Sequence, residues 1–490
     1  MKPLLSLTKA MALPLGALML ASCATMAPEY SRPEAPVPAS WPTGPAYRQQ
    51  PAAQTIPAPM ELPWRQFFLD PQLRQLIETA LANNRNLRVA VLNIERYRAQ
   101  YQIQRAAQWP QLDGNAAATR QRLPEQLSGT GSAMTVDQYS VGLGVSSYEL
   151  DLFGRVRSLK KAALEQYLAT REARRSAQIS LIASVAGGYL NLAADREKLR
   201  LAQDTLMAQK ATLEMIQKRV EAGIASQLDL QQARSQVEAA RVDISRYTTL
   251  VAQDENALTL LVGAPLAPEL LAPKLEDNLL AEGEISPGLS SEVLLQRPDV
   301  LQAEEQLKGL NANIGAARAA FFPRITLVGA LGFGSSELSD LFRSGATAWN
   351  LGSHLTVPIF DAGANRANLE VAKADRDIAV AQYEKSIQTA FREVSDALAQ
   401  HGTIAGQLAA QTALEESTAA SLRLSQARFE KGIDNSLTVL VSQRAMYVAQ
   451  QGVVDTRLTR LQNLVTLYKV LGGGANEADL LSEDSPQPPG

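Results

Sequence analysis

The chain has 490 residues, a net charge of −3 and 20% charged residues, so its charge balance does not suggest a nucleic-acid partner. Aromatic residues make up 5%, sparse for a compact core of this length, and Ala, Leu, Gln, Glu and Arg dominate, as in long helices. Past residue 25 no stretch reads as the ~20 apolar residues that a membrane-crossing helix needs, so a membrane role would fall to strands or to a lipid.

The first residues supply a candidate lipid. Lys2 and Lys9 mark a basic start, Ala10 to Met19 is apolar, and Leu20-Ala21-Ser22-Cys23 follows. This is a signal-peptide pattern over residues 1–22. Leu-Ala-Ser-Cys resembles the bacterial lipobox, whose cysteine becomes the first mature residue and carries acyl chains. Ala24 stands where lipoproteins bound for the outer membrane lack an aspartate. Cys23 is the only cysteine, so no disulfide framework exists. Residues 23–63 are rich in Pro, Ala and Gln and read as an extended, lipidated arm.

Residues 64–262 form a first unit of organisation. Helical periodicity begins near Pro71 and runs to about Gln108, where Pro110 ends it. Strands are predicted over 112–122 and 138–152, with a Gly/Ser-rich turn at 123–137. In the second strand Val141, Leu143 and Val145 alternate with Ser140, Gly142, Gly144 and Ser146, leaving one face apolar and one small or polar. A very long helix follows from Arg155, with Val185, Leu192, Leu199, Leu206, Leu213 and Val220 in one seven-residue register. Its ~65 residues would span roughly 100 Å at ~1.5 Å per residue, far more than a ~30 Å hydrocarbon layer. Gly223 marks a turn, and Ser226 with Asp229 has the spacing of a helix-starting capping box. Leu230, Val237, Ile244, Val251 and Leu258 then resume the heptads.

After a proline-rich linker at 263–290, residues 291–472 repeat the plan, and 473–490 read as a flexible tail. Arg105-Ala106-Ala107 with Trp109-Pro110 returns as Arg318-Ala319-Ala320 with Phe322-Pro323, an offset of 213 residues from Pro110 to Pro323. Arg219-x-Glu221-x-Gly223-Ile224 returns as Arg428-x-Glu430-x-Gly432-Ile433, an offset of 209 from Gly223 to Gly432. Gly154-x-x-Arg157 likewise returns as Gly363-x-x-Arg366 at an offset of 209, so the copies differ in length between Pro110 and Gly154, where the strand turns lie. The second copy's strands are predicted over 325–335 and 349–357, and Asp434 or Asn435 can start its last helix.

Two copies give four amphipathic strands. Backbone groups in lipid must all be paired, so such strands have to close into a barrel, and bacterial barrels need about eight or more. Four cannot close alone, so the chain must oligomerise. A trimer would give twelve strands around a wet interior, continued by helical hairpins.

Further motifs carry a family resemblance: Trp64-Arg65-x-Phe67 with Asp70-Pro71-x-Leu73, Leu150-Asp151-Leu152-Phe153-Gly154-Arg155, Gln296-Arg297-Pro298-Asp299, Ala319-Ala320-Phe321-Phe322-Pro323 and Pro358-Ile359-Phe360-Asp361-Ala362-Gly363. The chain resembles the TolC family of outer-membrane channels, in the OprM-like lipoprotein branch that serves RND efflux pumps. The resemblance implies a mainly α chain with a membrane β-barrel: a homotrimer with a 12-stranded β-barrel, a periplasmic α-helical barrel and a mixed equatorial belt. It implies a passive exit duct in outer-membrane lipid, docked to a periplasmic adaptor and an inner-membrane RND pump. Type I secretion is the alternative duct, and a pore-less coiled-coil lipoprotein the alternative class.

By the same resemblance, the adaptor-contact tips fall on Arg219, Gly223, Ile224, Ala225 and Ser226, and on Arg428, Gly432 and Ile433. A periplasmic gate falls on Asp229, Asp434 and Leu437. Val441 stands where the family pattern often has Asp, shifting closure toward Leu437 and apolar packing. Plainer roles compete: the glycines cap helices, and Asp229 is favoured at a helix N-terminus. Asp151 and Arg155 read as structural. His354 and His401 lack ligand spacing, and no catalytic constellation emerges, so neither enzyme activity nor a cofactor is expected.

Overall fold

The computed structural model describes residues 25–47, 62–129, 131–281 and 290–474. The 1–22 leader, Cys23 and residues 475–490 lie outside the described residues. The chain divides into two compact units. One comprises the residues up to Glu34, Asn93–Thr170 and Gln302–Tyr383; the other holds Ala35–Leu92, Arg171–Leu301 and the residues from Glu384 on.

The first unit contains the sheet. Strands β1 (Asp113–Leu123), β2 (Met134–Leu150), β3 (Arg324–Ser335) and β4 (Thr347–Thr356) form one antiparallel sheet in that order. The β2–β3 pairing fuses the hairpins of the two repeats. Strand β2 begins before the predicted position 138. Its extra residues are held by polar cross-strand pairs rather than apolar alternation: Arg120 on β1 forks onto Asp137 at 2.6 and 2.7 Å.

Register sorts the faces. Leu143, Leu331 and Trp349 lie in one row across β2, β3 and β4, and are 55%, 62% and 75% exposed. Leu351 and Leu355 continue this exposed apolar face. On the other face Gly144, Ala330 and Asn350 stand in register. Gly142 pairs with Gly332, and their backbones approach closely: a Cβ on Gly142 would sit 2.8 Å from the Leu331 carbonyl oxygen. Among the described residues the outer edges of β1 and β4 have no strand partner.

Each strand-to-helix corner is tied by an acid. Asp151 accepts from the Val156 and Arg157 amides at the start of the helix, and Asp361 from those of Gly363 and Asn365. Glu149, beside the first corner, binds Arg155 and Arg324 at 2.6 and 2.7 Å.

The helices are α1 (Pro71–Asn83), α2 (Arg85–Ala106), α3 (Arg155–Glu221), α4 (Gln227–Val262), α5 (Pro298–Ala319), α6 (Ala364–Glu430) and α7 (Ser436–Val470). The predicted continuous helix from Pro71 is instead broken at Asn84, which leaves the helical conformation. Its side chain accepts the Leu87 amide and donates to the Leu261 carbonyl, capping α2 and fastening the corner to α4.

The absence of any helix apolar enough to cross a membrane also needs correction. Residues 176–194 of α3 carry no charge, and α3 contains a window that meets the length and composition of a membrane span. Just over half of that window is buried. Val185, Ala186, Tyr189, Leu190 and Leu192 are at most 1% exposed, so its apolarity is used against protein rather than lipid.

The second unit explains several of the motifs. Phe67 stacks on Tyr468 at 4.3 Å, Phe68 meets the same ring edge-on, and the Tyr468 hydroxyl donates to Leu62. Asp70 caps α1 and accepts from the Tyr189 hydroxyl. Buried Arg297 reaches Asp299, Glu393 and the Val470 carbonyl, so this motif is a knot of packing and charge. The heptad positions Val237 and Leu258 on α4 are also buried.

Candidate functional site: the two hairpin turns

The α3–α4 and α6–α7 turns have the same local design. Gly223 and Gly432 sit at φ +71° and +72°, where a side-chain-bearing residue is strained. The Ile224 amide donates to the Arg219 carbonyl and the Gly223 amide to that of Val220. In the second copy the Ile433 amide donates to the Arg428 carbonyl and the Gly432 amide to that of Phe429. Both are complete Schellman turns. In that motif the residue after the glycine commonly packs back on the helix; here Ile224 and Ile433 are 67% and 60% exposed. The turns thus present two apolar side chains to the outside.

The helices that leave the turns are capped differently. Ser226 and Asp229 form a reciprocal capping box, while Asn435, not Asp434, caps α7. Asp434 instead pairs with Arg428, whose guanidinium holds its carboxyl below the usual range. Arg219 lies over the Phe429 ring at 4.5 Å. Asp229 accepts from the Ser226 hydroxyl, the Ser436 hydroxyl at 2.5 Å and the Ser226 amide, and these bonds lower its pKa. Leu437 and Val441 lie one turn apart on α7, 45% and 47% exposed. Within one chain the predicted gate residues are therefore not a cluster of free acids. Asp229 bridges the two hairpins, and Asp434 is bound within its own turn.

Sequence reasoning missed a ladder of polar links between the two hairpins. Buried Gln443 donates to Thr212, the Tyr447 hydroxyl to Asp243, and Gln451 to the Tyr247 hydroxyl. Below them an apolar cluster of Ile216, Ala233, Phe429, Val439 and Leu440 is shared by both repeats. The only sequence sign was polar residues beside the heptad positions, which does not reveal their partners.

A sheet with an apolar exposed face and, among the described residues, unpaired edges, in one chain with two long helical hairpins, defines a subunit of an outer-membrane channel. A family model described as outer membrane efflux protein matches residues 76–264 and 289–473. The chain belongs to this family, and the resemblance read from the motifs holds. It is 48% identical over 459 residues to TtgC, a probable efflux pump outer membrane protein of Pseudomonas putida, covering 94% of each chain. It is 45% identical over 463 residues to outer membrane protein OprJ of Pseudomonas aeruginosa, covering 94% of this chain and 95% of that one. Among solved structures, the open state of the Neisseria gonorrhoeae MtrE outer membrane channel aligns with a TM-score of 0.83 at 38% identity, over 92% of this chain and 99% of that one.

Proposed function

We propose that the exposed tips and the inter-hairpin ladder are the working parts of a passive efflux duct. The chain is the outer-membrane channel of a tripartite efflux system, a homotrimer that works with a periplasmic adaptor and an inner-membrane RND pump. The carrying observation is the sheet: four strands with an apolar row at Leu143, Leu331 and Trp349 and, among the described residues, no strand partner on the outer edges of β1 and β4. Three copies supply twelve strands, enough to close a barrel.

In this reading Ile224 and Ile433, presented by Gly223 and Gly432 and flanked by Arg219, Ala225, Ser226 and Arg428, dock the adaptor. Asp229, Asp434 and Leu437 act at the periplasmic constriction. Asp229 does so through its bond to Ser436, and Leu437 with Val441 by apolar packing. Cys23 carries the lipid that holds the arm to the membrane, an affinity for one leaflet added to the barrel. The cargo is small organic molecules delivered by the pump; curated relatives bear names for toluene and antibiotic efflux.

The test is deletion and complementation in the native host. Loss of the gene should sensitise cells to solvents and antibiotics, and the intact gene should restore resistance. Ile224→Asp with Ile433→Asp should insert as a trimer yet fail to restore it. Full restoration by that double variant removes the docking assignment.

A further inference from the structure

Helices α3 and α5 come close where Gly309 faces α3: a Cβ there would lie 3.4 Å from the Ala162 carbonyl oxygen and 3.6 Å from the Glu165 Cβ. This contact holds three carboxyls. Glu304, 2% exposed, is taken by the N-terminal arm: Arg32 forks onto it at 2.9 and 2.6 Å and the Tyr30 hydroxyl donates at 3.0 Å. Glu305 has one oxygen on Lys308 at 2.8 Å, and its Oε2 is buried without a donor. Glu165, 8% exposed, has no ion-pair partner among the described residues and faces Glu305. The other titratable or charged groups around them are Lys161 on α3, Lys308 on α5, Tyr30 and Arg32 on the arm, and Tyr383 on α6.

The three carboxyls are not all satisfied as carboxylates. Arg32 binds Glu304 and Lys308 binds Glu305, Lys161 acts on Glu165 only through space, and the unpaired oxygen of Glu305 lies beside the carboxyl of Glu165. One proton supplies what is missing: a donor for Glu305 Oε2, and relief of the repulsion between two adjacent carboxylates. We propose that Glu165 and Glu305 share one proton, and that this proton locks α3 to α5 beneath the docked N-terminal arm and is released as the medium rises from acid to neutral pH.

Burial, reinforced by the neighbouring Glu305, pushes Glu165 up to about 7, which places the release near neutrality. The sign follows. The unfolded carboxyl titrates near its ordinary value of 4.5, below the folded one, so the stabilisation is complete under that value and is lost as pH rises toward 7. Above it, two buried carboxylates repel, and Lys308 must divide itself between Glu305 and Glu304, from which it lies 3.6 Å. The arm's anchor on Glu304 then shares in the loss. An outer-membrane protein meets the pH of its surroundings directly, so the lock would respond to the medium.

The experiment uses the full-length trimer in detergent, as wild type and as Glu165→Gln. Thermal midpoints are measured from about pH 5.5 to about pH 8.5. Wild type should lose a few degrees across the range, and Glu165→Gln, which keeps a donor but cannot ionise, should lose markedly less and exceed wild type at the alkaline end. Asp254, pushed up to about 6 by burial and Asp195, titrates in both proteins and cancels in the difference. Infrared difference spectra should show in wild type at acid pH, beyond the Asp254 signal common to both proteins, an additional protonated-carboxyl stretch that disappears on alkalinisation and is missing from Glu165→Gln. Parallel thermal profiles, or a wild-type spectrum without that stretch at acid pH, overturn the proposal. If Glu165→Gln does not assemble, the same thermal and infrared comparison of wild type with Glu305→Gln decides it.

Discussion

Arg428 grips Asp434 across the second hairpin turn, with its Nε and Nη2 at 2.7 and 2.9 Å from the carboxylate. The first turn has no such pair. Ala225 stands where Asp434 stands in the repeat, and Arg219 rests on Phe429 of the other hairpin instead. The two tips thus share a backbone but not a charge pattern, and a trimer built from them is three-fold in chemistry there. Both partners of the second pair face water, and such pairs add little to stability. Asp434→Asn should therefore leave the thermal midpoint unchanged. If this tip docks the adaptor, the variant should weaken adaptor capture, measured by surface plasmon resonance with the purified adaptor.

The turn glycines should matter for stability through strain alone. Nothing lies within 4 Å of a Cβ built on Gly223 or Gly432, but both hold left-handed φ. Gly223→Ala and Gly432→Ala should each cost about 1 kcal/mol. Thermal unfolding should show that loss with assembly intact.

Gly332 presents the opposite case. Its φ is ordinary, but a Cβ there would collide with the Val141 carbonyl and the Gly142 backbone across the β2–β3 pairing. Gly332→Ala must push two strands apart, at about 1–3 kcal/mol. The SDS-resistant trimer should fall in yield, read on unheated gels, while Gly334→Ala, whose nearest neighbour is 3.9 Å away, should not change it.

Asp229 sets the acid side of the hairpin links. Its bonds from Ser226 and Ser436 lower its pKa, so the stabilisation is present above its unfolded value of 3.8 and is lost as pH falls through the lower folded value. Closed-channel conductance should show no step from Asp229 near neutrality and should rise only in strong acid. Asp229→Ala should show the acid-state conductance at neutral pH and lose about 1 kcal/mol of helix capping.

Much of this was readable from the sequence because it is local. The left-handed turns at Gly223 and Gly432, the Ser226–Asp229 box, the long helices and the strand alternation all depend on residues within one or two turns of each other. The misses are long-range. Asn84 breaks a helix because its side chain reaches Leu261, which periodicity does not reveal. The uncharged stretch at 176–194 is a buried segment only because other helices cover it. Gln443–Thr212 and Tyr447–Asp243 join the two repeats across more than 200 residues. Asp434 read as a gate acid, and its pairing with Arg428 emerged only when the turn brought the two together.

The most direct test is conductance of the purified trimer in planar lipid bilayers, comparing wild type with Tyr447→Phe combined with Gln451→Leu. Those substitutions remove two links between the hairpins, each about 1 kcal/mol, without touching the sheet. A wild-type trimer that conducts weakly, and a double variant that conducts several times more, is the predicted result. SDS-resistant trimers that conduct in neither form would contradict the account of this chain as an efflux duct.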